Sequence, residues 1–287
     1  MPLKIYTLLV LVVLTLVPAK ALPWAENGHR IIAAIAEKRL SPIAKKAVKE
    51  LLGADSMPRV SNWMDLIKSD NGFDDLNSYH YVEIMEGGDY WSSERNLKGD
   101  IVSAIMRYED VLRDKRSLKE DRKTALKALI HLIGDIHQPL HACNTKGRCS
   151  TMIWLKWFNG KVNIHKVWDE YLIEFQKLSY TEYVNFIDHI SVADVKLWQK
   201  SSVIDWLNES AEYRDQIYAG LRDEKGRKIY NLSYKYNFDN IGLVEQRLKQ
   251  AGVRLAFFLN NIFEGKRNIN GAEIRQKLAE KPTAEAM

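Results

Sequence analysis

Eleven residues, HLIGDIHQPLH from His131 to His141, constrain this chain more than any other stretch. They hold three histidines and one aspartate, and the apolar residues around them (Ala125, Leu126, Leu129, Ile130, Ile133) recur at helical spacing. His131 and Asp135 stand i, i+4, so a helix places both side chains on one face, one turn apart. Pro139 ends or bends that helix and brings His141 in from another direction. Imidazole and carboxylate converging from two directions make a metal-ligand set, with zinc the first choice for such donors. A second pair, His165 and Asp169 in NIHKVWDEYL, repeats the spacing. Hydrogen-bonded core histidines beside helix-stabilising charges explain one such pair; two pairs and a further His beyond a Pro favour metal.

The 287 residues admit one large domain or two small ones, and no repeat or composition shift marks a boundary, so a single domain is expected. Lys and Arg (42) barely outnumber Asp and Glu (37), which by itself leaves no basic footprint for nucleic acid. Residues 1–23 read as an export signal. Lys4 gives a positive start, Leu8 to Val17 an apolar run short for a membrane span, and Ala19-Lys20-Ala21 a small-x-small cleavage pattern. An uncleaved anchor is the alternative. The expected location is therefore secreted or periplasmic. Export also suits Cys143 and Cys149, which can pair across a short loop between the two ligand pairs; metal binding is the weaker option for two thiols.

Along the chain, His29 opens a helix that runs to Leu40, and Ser41-Pro42 cap a second one to about Leu52. Val60 to Lys68 (VSNWMDLIK) reads as a short helix with Asp65 among apolar neighbours, where a carboxylate needs a cation or donors. SYHYVEI alternates around His80 and predicts a strand. Leu97–Leu112, Leu118–Gln138, Val195–Leu221 and Ile241–Phe263 predict long helices, and Trp154–Phe158 with Gly160 a small hairpin. Beyond Gly265 the chain turns polar and reads as a loose tail, 265–287. The expectation is an all-α single domain with one or two short strands near the metal site. No Gly-rich phosphate loop, nucleophile elbow or zinc finger occurs.

In order, Trp24, His29, Asp65, His80, His131, Asp135, His141, His165 and Asp169 resemble the ligand series of the secreted zinc-dependent type I nucleases, the fungal single-strand-specific and plant bifunctional enzymes. The resemblance runs from Trp24 to about Phe263, with the domain set at 24–264, and implies the mostly helical phospholipase C/nuclease fold. It implies three zinc ions: one on Asp65, His80, His131 and Asp135, one on His141, His165 and Asp169, and one on His29 with the amino group and carbonyl of Trp24, bridged by Asp135. It further implies hydrolysis of single-stranded DNA and RNA to 5′-nucleotides, removal of 3′-phosphates from 3′-nucleotides, and a monomer with no stable protein partner. Asp65, Lys68 and Asp135 then carry the chemistry. Lys68 binds phosphate, Tyr81 stacks a base and Glu83 bonds its edge. His137 and His189 have no place in the ligand series; His137 is expected next to the ligands or on the surface, His189 in a structural role.

The chain departs from the family in three places. Lys68 stands where an Arg is usual, keeping the charge and losing the bidentate fork. Arg148-Cys149-Ser150-Thr151 stands where the family has Gly-Gly-Asn, which alters the nucleotide pocket. Leu22-Pro23 precede Trp24, so a free Trp24 amine requires cleavage after Pro23 or trimming beyond Ala21. Two other readings remain at this level: a zinc-dependent phospholipase C, which shares fold and ligand order but ends its series with Glu where this chain has Asp169, and a zinc-binding paralogue without turnover.

Overall fold

In the computed structural model, which describes residues 24–85, 87–144 and 151–280, helices carry almost all of the buried apolar surface. The signal segment, Cys149 and the Arg148–Ser150 stretch lie outside the described residues. Helix α1 (Glu26–Glu37) turns Ile31, Ile32 and Ile35 inward. Helix α2 (Pro42–Leu52) starts where the Ser41 hydroxyl accepts from the Ala44 amide with Pro42 at the first position, as the sequence predicts. Val60 to Lys68 is not one helix. It splits into α3 (Met57–Val60) and α4 (Trp63–Leu66) with a 3₁₀ turn at Ile67–Ser69.

The strand expected around His80 is also corrected. Asn71–His80 winds as 3₁₀ turns, started by the Asp70 carboxylate accepting from the Gly72 amide, and only Val82–Glu83 forms a strand, β1. Small and polar residues (Asn71, Gly72, Asp74, Asp75, Asn77, Ser78) favour turns over an extended ladder. Strand β1 pairs in parallel with β2 (Ala142–Cys143), just after His141. Between them lie α5 (Ile101–Arg113), which starts at the Asp100 capping box, and α6 (Lys119–Asp135). Trp154–Trp157 (β3) and Gly160–Asn163 (β4) form the expected antiparallel hairpin, joined by β5 (Asn231–Leu232).

The hairpin leads into α7 (Ile164–Lys166), a π turn at Val167–Tyr171 and α8 (Leu172–Glu174), one continuous path bearing His165 and Asp169. Next come α9 (Tyr180–Ile187), α10 (Val192–Trp198), α11 (Val203–Ala219) and the 30-residue α12 (Tyr234–Phe263). Val195–Leu221 is thus two helices. Ser202 and Asp205 form a capping box that starts α11 anew. At Gly252 of α12, an added Cβ would lie 2.4 Å from Ile35 Cγ2, so this glycine sets the close approach of α1. The stretch read as a loose tail instead forms α13 (Gly271–Glu280), packed on α5. Among the described residues, no helix is long and apolar enough to cross a membrane.

Candidate metal centre

Helix α6 provides the floor of the site. Its last turn carries His131 and Asp135, both with no exposed surface. The Asp135 carboxylate faces two ways. Oδ2 lies 2.8 Å from His80 Nδ1 and 3.1 Å from His131 Nε2. Oδ1 lies 3.2 Å from His29 Nε2 on α1. Gly134 admits the His29 ring, because a Cβ there would lie 2.8 Å from His29 Nδ1. The His29 and His131 rings stack with centroids 3.9 Å apart. Asp65 on α4 adds Oδ1 at 3.7 Å from His131 Nε2 and 4.0 Å from His80 Nδ1.

The turn at Pro139–His141 delivers His141 from a second direction, as Pro139 predicts. His141 Nε2 lies 3.6 Å from Asp169 Oδ1, and His165 Nε2 lies 3.1 Å from Asp169 Oδ2. Three ligand groups result: His29, His131 and Asp135; Asp65, His80 and His131; His141, His165 and Asp169. Within each group the ligand atoms lie within 4.8 Å of one another.

These residues fit a cation. His29 Nδ1 and Nε2, His80 Nε2, Asp135 Oδ1, His141 Nε2 and Asp169 Oδ2 are buried without a hydrogen-bond partner. Orphaned buried groups are expensive unless something binds them. The outer partners also aim the rings. His131 Nδ1 sits 2.7 Å from the Ser61 carbonyl and His141 Nδ1 2.8 Å from the His80 carbonyl. Each Nδ1–H donates there, so each Nε2 keeps its lone pair for a metal. Gln138 Nε2 donates to Asp169 Oδ1.

The electrostatics agree for the carboxylates, His29 and His80, whereas at His131 and His141 burial is outweighed by neighbouring carboxylates, which raise both groups. Burial pushes the Asp135 carboxyl up, but His131 and His141 outweigh it and hold the group well below the usual carboxylate range. Asp169 is held low by His165 and His141 against its own burial. Burial first, then neighbouring positive charge, pushes His29 down and His80 down to about 4. Ionised carboxylates and neutral imidazoles are the forms that bind a metal.

Lys68 lies at the rim. Its ammonium donates to Asp65 Oδ1 at 2.7 Å, with both side chains partly open to solvent. Trp24 is fully buried, its indole N–H donating to the Gly134 carbonyl at 3.0 Å, while the Ala25 amide donates to the Asp169 carbonyl at 2.8 Å. The start of the described chain is thus fixed beside both ligand pairs. Tyr81 and Glu83 line a cavity of about 270 Å³ together with Arg95, Asn96 and Asp100. Cys143 is disulfide-bonded.

Of the two places expected for His137, the surface is excluded. It is fully buried, with Nδ1 2.7 Å from the Ile133 carbonyl and Nε2 3.1 Å from Arg254 Nη1. Sequence reasoning missed its partners. Arg247 donates to the His137 carbonyl, Ser210 donates to the Ile136 carbonyl, and Glu209 takes both Arg247 and Arg254. Arg214, also missed, donates from Nη1 to the carbonyls of Ile84 and Ala142 at 2.7 Å, which clamps the start of β2 to the end of β1. Gln138 was visible inside HQPLH, though nothing local announces its role; the arginines carry no local signal.

A buried three-part His/Asp centre in a helical fold, with a lysine at its rim, defines a metal-dependent hydrolase site. The profile of the S1/P1 nuclease family matches residues 24–264, and the chain belongs to that family. Endonuclease 2 of Arabidopsis thaliana is 29% identical over 269 residues, covering 84% of this chain and 90% of its own. Nuclease S1 of Aspergillus oryzae is 25% identical, covering 83% and 91%. Nuclease P1 of Penicillium citrinum is 25% identical over 211 residues, covering 70% and 73%. The protein is a nuclease, a hydrolase of phosphodiester bonds.

Proposed function

We propose that this nuclease is a trinuclear zinc enzyme of the secretory route or periplasm. It cuts single-stranded DNA and RNA to 5′-nucleotides and removes 3′-phosphates from 3′-nucleotides. The observation that carries the reading is the convergence of three His/Asp groups whose orphaned buried atoms face one another. Asp65, His80, His131 and Asp135 would hold one zinc, and His141, His165 and Asp169 another. His29 and Asp135 would hold the third with the amine and carbonyl of Trp24, once residues 1–23 are removed. The enzyme is proposed to act as a monomer, and every side-chain set is completed within one chain.

Zinc supplies Lewis acidity toward phosphate oxygens and acidifies water. The chain's own groups do the rest. Asp135 ties two ligand sets together. Lys68, held at Asp65, presents a cation to a phosphate oxygen. Tyr81 offers its ring face to an unstacked base, which favours single strands, and Glu83 accepts from the base edge.

The test is hydrolysis of single-stranded DNA and RNA, with zinc counted on the same sample before and after chelation. About three zincs per chain, with activity lost on chelation and restored by zinc, is the expected result. Zinc without nucleic-acid cleavage, together with cleavage of choline phospholipid, would replace the substrate assignment. Little or no bound zinc would end it.

A further inference from the structure

The family match stops at residue 264, yet the chain goes on to form α13. That helix is fastened along its length. Ile274 is 2% exposed. Arg275 pairs with Asp110 at 2.7 Å and with the buried Glu109 at 2.8 Å, both on α5. In the last turn, the Leu278 carbonyl accepts from Arg95 Nη1 at 3.4 Å, and the Lys277 ammonium lies 5.3 Å from the Trp91 ring. Trp91 packs edge-on against Tyr90 with centroids 4.9 Å apart, and the Tyr90 hydroxyl donates to Asp100 at 3.0 Å. Arg95 and Asp100 both line the cavity shared with Tyr81 and Glu83. The end of α13 therefore touches, from behind, the wall that faces those two residues.

The contact is chemically directed. A helix C-terminus presents carbonyls of partial negative charge, to which a guanidinium is a good partner. The wall itself, Tyr90 to Asp100, contains no helix or strand among its described residues. An irregular segment braced at one point loses less freedom when a ligand arrives, so bracing lowers the entropic penalty of binding. We propose that α13 is a clip that holds the Tyr90–Asp100 wall, Arg95 above all, at the spacing that admits a nucleotide, and so sets substrate affinity without entering the chemistry. This inference rests on the reading of the Tyr81–Glu83 cavity as the nucleotide pocket.

The experiment compares the full chain, a chain ending at Asn270, and full-length Tyr81→Ala. Ending at Asn270 keeps Asn268 and Arg113, which still partner Glu109. Each protein is assayed on a single-stranded oligonucleotide and on bis(4-nitrophenyl) phosphate, a diester without a base, and its zinc is counted. The clip predicts that truncation raises KM for the oligonucleotide roughly fivefold. Its kcat, its zinc content and its rate on the baseless diester stay within about twofold of the full chain. A merely structural role would lower both substrates together, and that result overturns the proposal. An unchanged oligonucleotide KM overturns it too. Tyr81→Ala separates the two ideas. If it raises KM and truncation does not, the pocket stands and the clip falls. If it leaves KM unchanged, the pocket reading falls and takes the clip with it. Should the shortened chain fail to fold, the full-length double variant Arg275→Gln with Lys277→Glu loosens the same helix. It must show the same split in smaller measure, and its absence counts against the clip.

Discussion

Lys68 and Gln138 show how single side chains divide the work around the ligands. Lys68 contributes a rim cation, held 2.7 Å from Asp65 Oδ1. A donor aimed at charge that develops during reaction acts on rate more than on metal binding. Lys68→Ala should lower kcat/KM by about a hundredfold with zinc content unchanged. Lys68→Arg restores a bidentate fork and should hold or raise the rate. Steady-state kinetics on single-stranded DNA decide this, and a slower Arg variant would refute the assigned phosphate role. Gln138 works on the metal side, because its amide donates to Asp169 Oδ1. Gln138→Leu keeps the volume and removes both the donor to Asp169 and the acceptor of the Leu140 amide in the turn that carries His141. Affinity at the His141–His165–Asp169 set should fall roughly 10- to 100-fold, the usual effect of losing an outer partner. Zinc analysis after dialysis should then find about one ion fewer per chain. Retention of all zinc would show that Asp169 needs no such support.

The elements were legible where local chemistry decides them and not where distant partners do. The i, i+4 spacing of His131 and Asp135 placed α6, and Pro139 gave the turn to His141. The break before α11 was written in Ser202 and Asp205, but apolar periodicity on both sides masked it. Helix α13 was hidden because its sequence is polar and its docking depends on Glu109 and Asp110, far back in the chain. The His and Asp residues that the fold gathers into three groups were readable in order. Arg247, which meets the His137 carbonyl 110 residues away, was not.

That buried network gives the end of α6 a pH dependence. Burial, then Arg247 and Arg254, hold His137 well below its ordinary 6.5. The unfolded chain takes up a proton near 6.5 and the folded chain resists it. The stability His137 contributes is thus complete above that pH and lost progressively as pH falls below it. His137→Gln can still donate to the Ile133 carbonyl and accept from Arg254 without titrating. Between pH 7 and pH 5, zinc-saturated wild type should lose about 5 °C more in Tm than this variant. Parallel losses would place the acid sensitivity elsewhere.

On the scale of the whole molecule, the metal centre joins parts of the chain that share little other polar structure. His29 comes from the first helix, Asp65 from α4, His80 from the end of the 3₁₀ turns, His131 and Asp135 from α6, and His165 and Asp169 from the path after the hairpin. Their meeting point is largely buried, and several of the atoms facing it, among them His80 Nε2, Asp135 Oδ1 and His141 Nε2, have no hydrogen-bond partner. Stripped of cations, the fold must keep Asp135 and Asp169 against neighbouring imidazoles that take up protons in their place. Burial opposes a charge on His131 and His141, but the carboxylates overcome it and raise both groups. Metal and proton therefore compete for the same atoms. A ligand that binds only the folded chain stabilises it by about 4 kcal/mol at a thousandfold excess over its Kd. For a domain of this size that corresponds to roughly 10 °C. Chelation at neutral pH should lower Tm by at least about that amount, and added zinc should restore it. The gap should narrow on acidification, as protons occupy the imidazoles and zinc is released from the saturated protein. Thermal melts at several pH values, with and without chelator, read both effects. A Tm indifferent to chelation would mean that the helices hold the centre in place without metal, and that cations serve the chemistry alone.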